Sequence, residues 1–291
     1  MMGLARRILM RTWVLGIFLV LASGCGGGDG ADNRGGVSGI GGTAGAGADA
    51  ASDAPPAIGS TVTRVTVRPA GATASAGPVT FAQAFRQGDI PETVVAVVND
   101  ELLPTQMDAK RRHGDGSVRH AVITFQAPAM AEGEELEVEL RSASSGNDAP
   151  GPSVSDLLAG GFDAAVEITL DGHVYTASAR DLLESGSPAR WLDGALAAEL
   201  RIDGPLVSGS GPHPALHALF DVRFFSLGGA RVSVVVENAY EDTPGNINYD
   251  VRVLDAAGGV SFEQVGVEHY HHARWRHVMS WRTPRGPGDL P

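Results

Sequence analysis

The stretch EELEVELR, residues 134–141, alternates without a fault: Leu136, Val138 and Leu140 fall on one side, and Glu135, Glu137 and Glu139 on the other. A period of two sends successive side chains to opposite faces of a pleated strand, so this segment reads as a half-buried strand with a charged outer face. The signal recurs in both directions along the chain. Upstream, TVTRVTVRP puts Thr63, Val65 and Val67 on one face, and ETVVAVVND is a continuous apolar run closed by the turn pair Asn99-Asp100. RHGDGSVRHAVITF sets a tight Gly114-Asp115-Gly116 turn before a strand from Ser117 to Phe125. Downstream come a hairpin with Asp171-Gly172 at its turn, a strand in ALAAELRIDG, a long hairpin around Gly228-Gly229, and a third hairpin in INYDVRVLDAAGGVSFEQVGVEHYHH. Turn pairs of this kind between alternating runs are the sequence mark of antiparallel sheet. A helix signal is confined to ARDLLES, residues 179–185.

The turn-and-breaker run SASSGNDAPGPS, residues 142–153, divides the strands into two series. The sequence therefore predicts an all-β protein of two packed units. A small barrel-like domain covers 61–150 and an antiparallel sandwich-like domain covers 151–284, with a short tail at 285–291.

The N-terminus has a different texture. Arg6, Arg7 and Arg11 precede an apolar run from Trp13 to Ala22, too short for a good membrane span and typical of an export signal. Leu21-Ala22-Ser23-Gly24-Cys25 resembles a bacterial lipobox, with Ala22 at the position three before the cysteine where leucine is usual. That resemblance implies a signal peptide over 1–24, lipidation of Cys25, and a lipid-anchored protein of the cell envelope. Gly26, in place of an aspartate, implies the outer membrane. The competing reading is an ordinary secretory signal with a spare cysteine. Residues 25–60 are mostly Gly, Ala, Ser and Asp, which cannot bury enough surface to offset their ordering entropy, so they read as a disordered tether. At 5–6 Å times the square root of its length, such a tether reaches about 30–35 Å. Cys25 is the only cysteine, so no disulfide within the chain is available and the cores must hold the fold.

The chain carries a formal charge of −12; without the three signal-peptide arginines, 19 basic residues face 34 acidic ones, giving −15. That balance disfavours nucleic acid as a partner.

At GPVTFAQAFRQGDIPE and LLPTQMDAKRRHGDGSVRHAVITF the chain resembles the N-terminal RIFT-type β-barrel of the exo-rhamnogalacturonan-lyase-like family. The matching residues are Phe85, Gly88, Asp89 and Ile90, then Pro104, Thr105 and Gln106, then the most specific piece, Asp115, Gly116, Ser117, Val118 and Arg119. The match covers about 60–141 and continues more loosely through ENAYEDTPGNINYDV and HYHHARWR, which look like the start of the family's central β-sandwich. Members of that family are longer and add a helical toroid. The resemblance thus implies a carbohydrate-associated protein without a complete catalytic apparatus, acidic polysaccharide as a partner, and Ca²⁺ as the cation such chemistry can use. A non-catalytic glycan- or protein-binding module, or a fragment of a split gene, is the alternative. A truncated sandwich would leave its last strand with an unpaired edge. From the residues alone, Gln106, Asp115, Gly116, Ser117 and Arg119 read as turn and rim hydrogen-bonding groups.

A polysaccharide lyase must neutralise a uronate carboxylate, remove the neighbouring proton and protonate the leaving oxygen. HYHHARWRHVMSWRTP, residues 269–284, has the residue types for this. As one strand it would place His269 and His271 on one face and Tyr270, His272 and Arg274 on the other. Three readings compete. His269 and His271 could begin a metal site, though a His-x-His pair alone is a weak motif and no metal is assigned. Tyr270, Trp275 and Trp281 could form a sugar platform beside Arg274, with both tryptophans sharing a strand face. Or the rings simply pack on a neighbouring sheet. No nucleophile-elbow, phosphate-loop or metalloprotease motif occurs.

Overall fold

The computed structural model describes residues 57–281, apart from 70–72, 148, 187 and 243–244. The signal-peptide segment 1–24, Cys25, the tether up to residue 56 and the tail at 285–291 lie outside the described residues. Among the described residues no helix is long and apolar enough to cross a membrane.

The protein is all-β. The first domain contains β1 (Ile58–Val67), β2 (Gly77–Ala84), β3 (Thr93–Val98), β4 (Glu101–Leu103), β5 (Thr105–Arg112), β6 (Val118–Ala127) and β7 (Leu136–Ala143). They form two antiparallel sheets, in the orders β1-β7-β3-β4 and β2-β6-β5. β1 begins at Ile58, within the last residues of the segment read as tether. The opening stretch of the sequence is β7. Val138 and Leu140 are fully buried, and they join Ile90, Val94, Val118, Ile123 and Phe125 in one core between the two sheets. The glutamates face outward, where Glu139 accepts hydrogen bonds from Thr61, Arg64 and Arg141. β3 is buried on both faces, as its unbroken apolar run implies. Its hairpin to β4 turns on Asn99 and Asp100 at φ 50° and 65°, the left-handed pair that a two-residue hairpin requires.

The second domain contains α1 (Val154–Ala159), β8 (Ala164–Leu170), β9 (His173–Ser178), α2 (Ala179–Ser185), β10 (Ala189–Asp193), β11 (Ala197–Ser208), β12 (Gly211–Phe225), β13 (Ala230–Asn238), β14 (Ile247–Asp255), β15 (Val260–His269) and β16 (Arg274–Trp281). α2 occupies the segment read as helical. α1 escapes a periodicity reading because it is six residues long; its signal is the cap, where the Ser153 hydroxyl accepts the Asp156 amide at 3.1 Å. The strands form one nine-stranded antiparallel sheet in the order β15-β14-β8-β9-β11-β12-β13-β16, with β10 beside β11. The two layers expected of a sandwich are thus one continuous sheet that curls until its ends face each other. Phe220, Leu200, Leu216, Ile168, Val234 and Val251 fill its interior, each at most 1% exposed. Burying one such side chain contributes about 1.5–3 kcal/mol.

Gln106 joins the two domains, which belong to one compact unit. From β5 its oxygen accepts the amides of Leu196 and Ala197, both at 2.8 Å. Its nitrogen donates to the Ala197 carbonyl at 2.9 Å and to Asp108 at 2.7 Å. A glutamine amide offers two donors and two acceptor lone pairs, and here every one is used. Asp108 accepts the Asp193 amide at 2.9 Å, and Lys110 donates to the Trp191 carbonyl while sitting 4.5 Å from the centre of that ring. The period of two puts 106, 108 and 110 on one face of β5. Gly194 is required at the joint, since a Cβ there would lie 2.4 Å from the Gln106 side chain.

Candidate functional site

The segment 269–281 is not one strand. β15 ends at His269, the chain turns through 270–273 with His272 at φ 60°, and β16 runs back along β13. The face assignment expected for a single strand therefore fails at the turn. Asn238, at the end of β13, forces the reversal. Its backbone exchanges hydrogen bonds with His272 and Ala273, and its side-chain amide donates to the carbonyls of Gly245 and His269.

His269 is 3% exposed and both its nitrogens are engaged. The partners fix the proton positions. The Ala273 carbonyl can only accept, so Nε2 donates to it at 2.9 Å. Nδ1 then accepts the Tyr249 hydroxyl at 2.7 Å, and the Tyr249 oxygen accepts the Trp275 indole N–H at 2.7 Å. The chain of bonds runs from Trp275 through Tyr249 and His269 to the backbone of the turn. Burial pushes the His269 pKa down, against the bond to Ala273, and pushes Tyr249 up to about 12. His271 lies beside His272 with ring centres 3.9 Å apart and bonds the Glu241 carbonyl at 2.9 Å. His269 and His271 thus do not converge, and among the described residues no group of three or more His, Cys, Asp or Glu side chains is placed to hold a metal ion.

Trp275 and Trp281 do share a face of β16, but they serve different places. Trp281 packs edge-on against Phe162 at 5.5 Å, over the end of α1 near Gly160. Trp275 packs beside Phe262 of β15. β15 and β16 are the two free ends of the sheet, and across their seam the Ser261 hydroxyl meets His277 at 3.0 Å. Above that contact a groove of about 430 Å³ opens. Gln264 and Glu268 line one bank, Tyr270 the end, and Arg274, Trp275 and Arg276 the other bank. Tyr270 is 57% exposed. Arg274 reaches Glu237 at 3.4 Å, whereas Arg276 has no ion-pair partner among the described residues. β15 is bulged on the side away from the seam, where it pairs with β14. The register of β15 on β14 shifts between Tyr249 and Val251, and Gly266, at φ 66°, donates to Asp250.

The first domain's motif residues lie elsewhere. Asp115 Oδ1 accepts the amide and hydroxyl of Ser117, Gly116 turns at φ 87°, and Ser117 Oγ accepts the Gly88 amide. The Asp115 carboxyl is held below its ordinary range chiefly by the Ser117 hydroxyl. Arg119 is exposed, and its carbonyl accepts the Phe85 amide. The two halves of the sequence motif are therefore bonded to each other, well outside the seam. Arg276, Tyr249 and Asn238 were not singled out from sequence. The indole at 275 was the available clue, since a buried indole N–H calls for an acceptor.

No family model matches this chain, and no curated protein matches it.

Proposed function

We propose that the protein is a carbohydrate-associated envelope lipoprotein, related to the lyase-like family, that binds acidic polysaccharide without a complete catalytic apparatus. Cys25 would carry the anchor and the groove between β15 and β16 would hold the glycan. The observation that carries this reading is that Trp275 and Arg276, consecutive on β16, both line the groove. The hydrogen bond from the indole to Tyr249 fixes the ring against which a sugar can stack, and an unpaired guanidinium suits a uronate carboxylate. The same geometry argues against lyase chemistry at this place: His269 spends both nitrogens inside the fold, and His271 is tied to a backbone carbonyl.

Titration calorimetry with polygalacturonate oligomers tests the reading. Wild type should bind, and Arg276→Ala should weaken binding about tenfold, the loss of one charge-assisted contact. Absence of binding by the folded wild type, or equal binding by the variant, removes the groove as the site. Appearance of unsaturated-uronate absorbance during the titration would contradict the non-catalytic part.

A further inference from the structure

Of the three described tryptophans, Trp191 is the most exposed, at 52%. Its neighbour Leu192 fills the core at 0%, so the indole is not needed for packing. β10 carries a register shift on β11 between Arg190 and Leu192, which takes Trp191 out of the ladder. Lys110, the only lysine of the chain, sits over one face of the ring and fixes it. The indole lines a groove of about 400 Å³ together with Ala189, Arg190, Arg201 and Asp221. Arg201 and Asp221 are joined by two hydrogen bonds, 2.7 and 3.1 Å, in the fork geometry of a bidentate pair.

Charge separates this groove from the seam. Arg201 is paired with Asp221, Arg190 with Asp193, and Glu199 with Arg223. No uncompensated cation is present here to attract a carboxylate. What the lining does offer is a flat apolar ring and, in the same groove, a pair that presents N–H groups and carboxylate oxygens side by side. A sugar ring has the complementary pattern, an apolar C–H face and a rim of hydroxyls that each donate and accept. We infer that the groove at Trp191 is a second carbohydrate site, for a neutral pyranose stacked on Trp191 and hydrogen-bonded to the Arg201–Asp221 pair. It uses no residue of the seam groove and stands whether or not the seam binds acidic glycan.

Native affinity electrophoresis of the full chain tests it, in gels cast with soluble xyloglucan, β-galactan, galactomannan or polygalacturonate. At least one neutral polysaccharide should retard the wild type. Trp191→Ala should weaken that interaction about tenfold or more, and Trp191→Phe should retain most of it. Lys110 grips the backbone carbonyl at 191, so the joint survives both changes; unchanged thermal unfolding confirms this. Arg201→Gln should weaken neutral binding, and Arg276→Ala should leave it intact. No retardation in any neutral gel, retention by Trp191→Ala, or equal loss in Arg276→Ala each overturns the inference. The polygalacturonate gel reports on the seam alone, so the two sites fail or stand separately.

Discussion

Between Ile58 and Ala143 the polar work of folding is done by carboxylates near the surface; between Val154 and Trp281 much of it is done by buried rings. In the first domain Asp115 folds its turn through Ser117, and Glu139 gathers Thr61, Arg64 and Arg141 on the outside of β1 and β7. In the second, Trp275, Tyr249 and His269 form a relay under the turn at 270–273. A carboxylate at the rim stays hydrated and gives only modest stability. A buried phenol or imidazole without its partner costs much more. The two halves should therefore respond differently to mutation and to acid, although Gln106 ties them together.

Removing that tie is the strongest way to break the comparison. Gln106→Ala leaves the amides of Leu196 and Ala197 and a carbonyl without their partners in a buried joint, at about 3–4 kcal/mol. Calorimetry should then resolve two unfolding transitions where the wild type shows one. A single transition in the variant would mean that other contacts couple the domains.

Next in size is Tyr249→Phe, which strands the Trp275 N–H and His269 Nδ1 at about 2–3 kcal/mol. Hydrogen exchange should quicken at 238 and 269–275 and stay unchanged across β1–β7. Uniform quickening would refute the independence of the two polar systems.

Acid should separate the halves without any mutation. Burial holds His213, His217, His269 and His277 below the ordinary histidine value of 6.5. The unfolded chain takes up protons near pH 6.5 that the folded one refuses. Their contribution is complete above that pH and is lost as pH falls toward the depressed values. In the first domain Glu139, held near 2 chiefly by hydrogen bonds from Thr61, Arg64 and Arg141, keeps its contribution down to about its ordinary 4.5 and loses it only below. Between pH 6.5 and 4.5, amide protection should fall in β8–β16 first; earlier loss in β1–β7 would reverse the assignment.

The smallest effect is expected from Arg64→Ala, on an exposed pair. It should leave the unfolding temperature nearly unchanged, and any shift should vanish at high salt.

Much of this was legible in the sequence wherever the signal was local. The alternation at Leu136, Val138 and Leu140, the pairs Asn99-Asp100 and Asp171-Gly172, and helix 179–185 all rest on neighbours along the chain. What was hidden depends on distant partners. Gln106 reads as a rim residue because all its partners but Asp108 lie about 90 residues away. The strand pattern runs on past His269 because nothing at 272 announces a left-handed turn; a histidine stands where glycine or asparagine would have signalled one, and Asn238 imposes it from another strand. In the candidate groove, Trp275 and Arg274 were visible by residue type. Trp281 was grouped with them by periodicity, yet α1, too short to be read, takes that ring to its own end of the sheet. The seam itself is a property of sheet order, which periodicity does not encode.

Lys110 gives the joint a chemical address. It holds the only side-chain amine in the molecule, 17% exposed and pressed between Asp108 and Trp191. An acylating reagent that modifies amines should therefore label a side chain only when the domains part. Its rate of uptake at residue 110 is a clock for their opening, with no engineered probe needed.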